Sequence, residues 1–376
     1  MDMLWSEKFW FPEGVTWLDL RNDDPNIYIP QIEDIGLLSM FIGLVLLIIR
    51  FLSERLIVIP IAKCLGIRVR KSLPLSHVPE LEKLYKSKKT TTKSIKEVTK
   101  KTELSERQVL RWLRRRGKQD SPSTMQKFTE CSYHFMFYSA MFIYGVCVLW
   151  DKPWFWETKN CWIGWPKQHV SQGAYWFYMI ELGFYWSLTF TLLSDHKRKD
   201  FKEMVVHHLV TIALLYFSWC CNFVRIGTLV LVVHDAVDYW MAAAKMAKYC
   251  KRQMLCEFFF IVFVIVWIIT RLIIYPFWVV YSSSVEVYQI VGHFYSAYFF
   301  NILLVVLQIL HILWSYMIFK IIMQKFTEGE LKKDSRSESE SSTDDDTTAS
   351  EDAAESPQKR RMVPRQRSKG VKDNSY

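Results

Sequence analysis

The sequence predicts an all-α, multi-pass transmembrane helix bundle of about seven spans, with a small basic helical segment outside the membrane. Two observations lead there. Of 376 residues, 51% are hydrophobic and 16% aromatic, and the apolar residues fall in blocks of span length. The net charge of +10 is segregated. Between Arg55 and Glu130 there are 20 Lys and Arg against 7 Asp and Glu, whereas Asp334 to Glu355 is acidic.

The chain divides into an N-terminal stretch 1–34, a first span 35–58, a basic region 67–128, a six-span body 131–325 and a tail 334–376. The spans of the body run near 131–150, 174–193, 204–223, 226–246, 257–281 and 294–323. The first span is the least clean, because Arg50, Glu54 and Arg55 crowd its end and are expected to snorkel to the interface.

Loop charge predicts orientation. The segment 59–130, the loop with Lys197, Arg198, Lys199 and Lys202, and the loop with Lys248, Lys251 and Arg252 are basic. Ser282 to His293 reads as a loop without Lys or Arg. Alternate loops are therefore the basic ones, which places them and the C-terminal tail in the cytosol and the N-terminus in the lumen. The loop 151–173, with Lys152, Lys159 and Lys167, is the mild exception; its Trp154, Trp156, Trp162 and Trp165, with Trp5, Trp10 and Trp17 before the first span, are expected at headgroup level.

The eight cysteines form no CxxC pair, so neither a zinc knuckle nor a redox motif is supported. The N-terminus lacks a basic region of signal-peptide type, so the first span is expected to direct insertion. The tail is rich in Ser, Asp and Glu and is expected to be disordered. Ser341, Ser342 and Thr343 each precede an acidic residue by three positions, a pattern that suits an acid-directed kinase.

The sharpest chemical signal is polarity within spans. His207 and His208 open the fourth span; His234, Asp235 and Asp238 lie in the fifth. Ionisable groups at membrane depth are costly and usually face a working cavity. The connection around Asn222 to Arg225 is short, so the two helices are expected to be adjacent and antiparallel. Helix rise puts the carboxylates roughly 14–18 Å, and the imidazoles about 20–25 Å, from that shared end, so imidazole and carboxylate can meet. Such a pair can deprotonate an amine or hydroxyl, or hold imidazole as a nucleophile. The rival, an iron or zinc site, needs spaced histidine boxes, and among nine histidines none forms one; no metal is expected. Arg271 lies deep in the sixth span and needs a partner. Glu181 in the third span is the expected one, with Asp235 the competitor.

Several stretches resemble the ceramide synthases, within the wider TLC-domain family. His207-His208-Leu209-Val210-Thr211-Ile212, then Gly227-Thr228-Leu229-Val230, His234-Asp235-Ala236-Val237-Asp238 and Ala244-Lys245-Met246 look like their Lag motif. Phe184-Tyr185-Trp186-Ser187-Leu188, Lys197-Arg198-Lys199-Asp200-Phe201 and Asp151-Lys152-Pro153-Trp154 match further. The resemblance covers about 1–335. It implies six spans forming a TLC-type barrel around a lipid tunnel in the endoplasmic-reticulum membrane. It implies transfer of a long-chain acyl group from acyl-CoA, a co-substrate and not a cofactor, to sphinganine or sphingosine. His207, His208, Asp235 and Asp238 would be the catalytic set, and homo- or hetero-dimers are implied. The alternative is a membrane lipid sensor or transcriptional regulator that keeps the scaffold.

Leu104 to Arg116, with Trp112, resembles the third helix of a homeodomain after a cap at Ser105. Where DNA-binding homeodomains carry an adenine-reading Asn, this chain has Arg115. The region also reads as too short for a first helix, so sequence-specific DNA binding is not expected, and Lys83 to Arg107 is expected to be dispensable for chemistry.

Overall fold

The computed structural model describes residues 5–68, 75–87, 91–192 and 200–328, and among these there are helices and turns but no strand. The tail, with Ser341, Ser342 and Thr343, and the loop residues Lys197, Arg198 and Lys199 lie outside the described residues.

The first long helix, α1, runs Ile32–Cys64. It starts where the Gln31 N–H donates to the Asp34 carboxylate at 3.2 Å. Near its far end Arg50 donates to Glu54 at 3.0 Å, and the Arg50 guanidinium lies 5.6 Å from the Tyr133 ring. Arg50 and Glu54 thus form an i,i+4 pair against a neighbouring aromatic, which lowers the cost of carrying two charges near the end of a span.

Three short helices follow: α2 (Pro79–Ser87), α3 (Thr92–Thr102) and α4 (Glu106–Asp120). The sequence reading had no room for the first of them. They share a core of their own, made of Leu81, Leu84, Val98, Val109, Trp112 and Leu113. Trp112 Nε1 donates to the Ser76 carbonyl at 3.0 Å, and Arg116 donates to Glu82 at 3.1 Å. That guanidinium holds the Glu82 carboxyl below its usual range. Arg107, Arg111 and Arg114 point outward.

The body begins with α5 (Thr124–Leu149). Its start repeats the device that starts α4. Ser105 and Ser123 accept from the N–H three residues on, of Gln108 and Gln126, while those glutamine side chains accept from the serine N–H at 2.8 Å in each case. Two reciprocal caps of the S-x-x-Q kind, separated by Pro122, thus divide one apolar-to-basic run into two rods. Then come α6 (Gln172–Leu192), α7 (Phe201–Cys220), α8 (Val224–Tyr249), α9 (Gln253–Ile290) and α10 (Tyr295–Glu328).

Among the described residues six helical runs are long and apolar enough to cross a membrane: α1, α5 with the run leading into it, α7, α8, α9 and α10. The seventh expected span, α6, is long enough, since its 21 residues reach about 31 Å. Its hydropathy is lowered by Glu181 and by tyrosines and tryptophans. Protein rather than lipid surrounds it: α1 lies along one side and α5, α7 and α8 on others. The approach of α1 is close because glycines meet there. A Cβ on Gly43 would lie 2.8 Å from the Gly183 carbonyl, and one on Gly183 would lie 2.6 Å from Ile42, the small-residue packing of membrane helices. On the outer face Leu37, Met254 and Phe277 are 84%, 87% and 72% exposed, as lipid contact requires.

Two expectations need correction. Ser282–Ile290 is not a loop: α9 continues through it, because Ser282, Ser283 and Glu286 are buried and bonded rather than solvated. Thr158 donates to Glu286 at 2.7 Å, and Trp162 Nε1 donates to Ser282 at 2.9 Å. Trp10 and Trp162 are not headgroup anchors either. Each is 3% exposed; together with the Trp165–Phe294 stack at 5.8 Å they close the aromatic end of the bundle. Trp156, at 59% exposed, fits the original expectation.

Candidate active site

The helices α7 and α8 leave a tight turn at Asn222, which has φ +54°, and then diverge. Thereafter α8 packs chiefly against α5 and α9 rather than α7. This central position brings residues from six helices together.

His208 is buried and His207 half-buried. Their rings are 5.9 Å apart, and each lies 6.1 Å from the Tyr185 ring of α6. His207 also packs edge-on against Trp314 at 5.4 Å. The two imidazoles therefore rest among aromatic rings. The carboxylates expected beside them engage other groups. Asp238 lies 3.7 Å from the Arg271 guanidinium, and Asp235 is an electrostatic neighbour of Glu181. Tyr185 lies within electrostatic reach of Glu181, Asp235 and Asp238, so it borders both sets.

Arg271 is thus not paired with Glu181, nor with Asp235. Its guanidinium donates to the His234 carbonyl at 2.8 Å and faces Asp238. The reason is azimuth. Depth along the membrane put Glu181 and Arg271 at similar levels, but α8 stands between α6 and α9, so its carboxylates intercept each of them.

His234 contributes more than its sequence neighbours suggested. Its Nδ1 meets the Val230 carbonyl at 2.7 Å, a contact made by the Nδ1–H tautomer, and its Nε2 has no partner among the described residues. Its ring lies 5.2 Å from His311 and 5.3 Å from Tyr275. His311 went unnoticed in the sequence. The available signal was an ionisable group in the core of the last span, which is expensive without a purpose. Tyr138 of α5, near Asp238 and Tyr185, carried no such signal.

A cavity with about 720 Å³ of empty space, its open mouth included, extends from this cluster toward the aromatic end. Tyr185 and His234 line its polar end; Leu215, Leu304 and Phe300 line its length; Trp162 lines it at the aromatic end. Its walls are apolar, so it suits a hydrocarbon chain whose reactive head lies at Tyr185 and His234. Among the described residues no group of three or more His, Cys, Asp or Glu is arranged to hold a metal ion.

The family model described as the TLC domain matches residues 127–320. The chain is 42% identical to ceramide synthase 5 of Homo sapiens over 346 residues, which is 91% of this chain and 87% of that protein. It is 38% identical to ceramide synthase 4 of Homo sapiens over 343 residues, covering 91% and 86%. It is 30% identical to ceramide synthase hyl-1 of Caenorhabditis elegans over 351 residues, covering 90% and 84%.

Proposed function

The chain belongs to the ceramide synthases, and we propose that the cluster around Tyr185 and His234 is where its acyl transfer takes place. As an acyl-CoA-dependent sphingoid-base N-acyltransferase, the protein must place a thioester carbonyl and an amine together in the membrane. The observation that carries the assignment of the site is that His234 and Tyr185 belong both to the polar cluster and to the wall of the apolar cavity. An acyl chain lying in that cavity presents its carbonyl to the histidines of α7.

His207 and His208 act as the base or as a transient acyl acceptor, with Asp235 and Asp238 as the carboxylates that complete the catalytic set. The thioester is already activated by a good leaving group, so holding amine and carbonyl in line supplies much of the acceleration. The remaining requirement is proton removal from nitrogen, which imidazole provides. In the covalent variant one imidazole first displaces CoA and the amine then attacks the acyl-imidazole. The two routes differ at one observable, an acyl adduct formed from acyl-CoA alone.

The basic end of the bundle, with α2–α4, is the cytosolic side and the aromatic end the lumenal side, as the positive-inside rule requires. We assign the protein to the endoplasmic-reticulum membrane, with long-chain acyl-CoA and sphinganine or sphingosine as substrates and with homo- or hetero-dimers as its assembly. The unit α2–α4 is a structural or membrane-surface element, since Arg115 stands where base readout would need Asn. Measuring N-acylation of sphinganine by microsomes carrying the wild-type chain and its His208→Ala variant tests the assignment. Loss of turnover in the variant with normal membrane insertion supports it; full turnover overturns the site.

A further inference from the structure

We propose that the Glu181–Asp235 carboxyl pair is the binding site for the protonated amine of the acyl acceptor, with Glu181 taking the proton that the amine must lose. This rests on the acyl-transfer reading above.

Glu181 has no exposure to solvent. It shares a face of α6 with Tyr178 three residues before and Tyr185 four residues after, and both tyrosines line the cavity. Among the described residues no N–H or O–H donor reaches either Glu181 oxygen. Its electrostatic neighbour is Asp235, and two buried carboxyl groups side by side do not both ionise, so the pair carries one proton and one negative charge. A buried charge without donors is expensive. If Glu181 served packing alone, a neutral side chain would serve better. A group with a positive charge and several N–H donors is what the pair lacks. The protein cation near the pair, Arg271, directs its Nη2 at Asp238 and the His234 carbonyl, and no described residue accepts from its Nε or Nη1.

The other titratable or charged groups facing the pair are Tyr138 on α5, Tyr185 on α6, Asp238 on α8 and Arg271 on α9. His207 and His208 on α7 lie across Tyr185. The turn of α1 that packs on α6, Met40 to Leu46, is wholly apolar and glycine.

A long-chain primary ammonium fits this place: its N–H groups satisfy the orphan oxygens while its chain follows apolar walls. One ammonium proton passes to the carboxylate, leaving both carboxyl groups protonated and nitrogen with its lone pair. That lone pair forms the C–N bond to the acyl carbon, and the bond from that carbon to its leaving group, sulfur or imidazole, breaks. The second nitrogen proton passes to an imidazole, from which it neutralises the departing thiolate. The carboxyl pair then releases its proton to water. The sum is ammonium plus thioester to amide, free thiol and one proton.

The test is steady-state kinetics on the intact enzyme in membranes, with Glu181→Gln. The amide keeps the shape of the side chain but cannot take a proton. We expect kcat/KM for sphinganine to fall by about 100-fold or more, with KM for acyl-CoA unchanged. The variant should then use only amine already neutral in solution. Its kcat/KM should climb about tenfold per pH unit below the amine's own pKa, a slope steeper than wild type. Wild-type kcat/KM with a wild-type pH slope would overturn the proposal. So would a variant whose only defect is in KM for acyl-CoA.

Should the variant not fold, inhibition of the wild-type enzyme decides. An N,N-dimethyl long-chain amine should compete with sphinganine, and the alcohol of the same chain length should not. Equal competition by both overturns the ammonium site. Absence of wild-type N-acylation would instead defeat the acyl-transfer reading itself, so the two failures are distinct.

Discussion

The Arg271 guanidinium lies 3.7 Å from Asp238 while donating to the His234 carbonyl at 2.8 Å. One side chain of α9 thereby fixes both the height and the rotation of α8. Removing a partner from such a buried arrangement leaves a charge uncompensated. Asp238 keeps 27% of its side-chain exposure, so the cost of Arg271→Leu should fall near the low end of the usual range, about 3 kcal/mol. Arg271→Lys should recover part of it, since a point charge can face Asp238 but fits two acceptors less well. Thermal unfolding in detergent is the measurement; equal stability of all three proteins would remove Arg271 from this role.

Asp238→Asn and His207→Ala should each lower N-acylation by about 100- to 10,000-fold with the bundle intact by thermal melt. Turnover near wild type in either would strike that residue from the mechanism. Intact-mass analysis after acyl-CoA alone separates the routes: an adduct on His207 or His208 marks the covalent one, and its absence under turnover conditions marks direct base catalysis.

Trp162→Ala should move the preference toward longer acyl chains, because the ring lines the aromatic end of the cavity and is tied to Ser282. The readout is the product profile from a mixture of saturated acyl-CoAs. An unchanged profile with normal folding would mean that the chain does not reach that ring.

Gly43→Val should detach α1 from α6, since its side chain would drive into the Gly183 backbone. A loss of about 1–3 kcal/mol is expected from overpacking, whereas Gly36→Val, which meets nothing within 4 Å, should be silent. Comparable melting of the two variants would contradict the close approach.

The helical unit α2–α4 calls for a different deletion than the sequence suggested. Removing Lys83 to Arg107 alone would strand Val109, Trp112 and Leu113 of its core and should yield aggregation-prone protein. Replacing 76–119 as a whole by a flexible linker should leave N-acylation measurable. In the intact protein the Glu82–Arg116 contact adds pH dependence. The Glu82 carboxyl is held low by Arg116, so its contribution is present above about pH 4.5 and lost as pH falls through the lower folded value. Glu82→Gln should flatten that acid limb in local hydrogen exchange of α2 and α4; an unchanged limb would mean the contact contributes nothing.

What was legible follows from what a sequence encodes. Hydropathy is a property along the chain, so the spans could be read, and α6 could be read by its length and its load of aromatic and aliphatic residues despite Glu181. Depth is also a property along the chain, and it brought Arg271, Glu181 and the aspartates to comparable levels. Azimuth is not, because it depends on which helix stands beside which. That is why Glu181 was expected on Arg271 and instead has Asp235 as its electrostatic neighbour. Ser282 to Glu286 was misread for another reason: three serines resemble a loop until buried partners such as Trp162 and Thr158 are known. Pro79–Ser87 was missed because nine residues with two buried leucines give too little periodicity to register.

The turn at Asn222 has a further consequence. Its side-chain amide donates to the carbonyls of Pro166 and Gln168 at 2.7 and 2.9 Å, so a loop without any catalytic group clamps the joint between α7 and α8. Each residue of a helix advances its side chain by about 100°. A single-residue insertion or deletion beside that clamp would leave both helices intact yet rotate Asp235 and Asp238 out of phase with the histidines. The loop 150–171 therefore sets the timing mark between the two halves of the catalytic set. Length changes there or at 221–223 should silence the enzyme more completely than most substitutions within either helix.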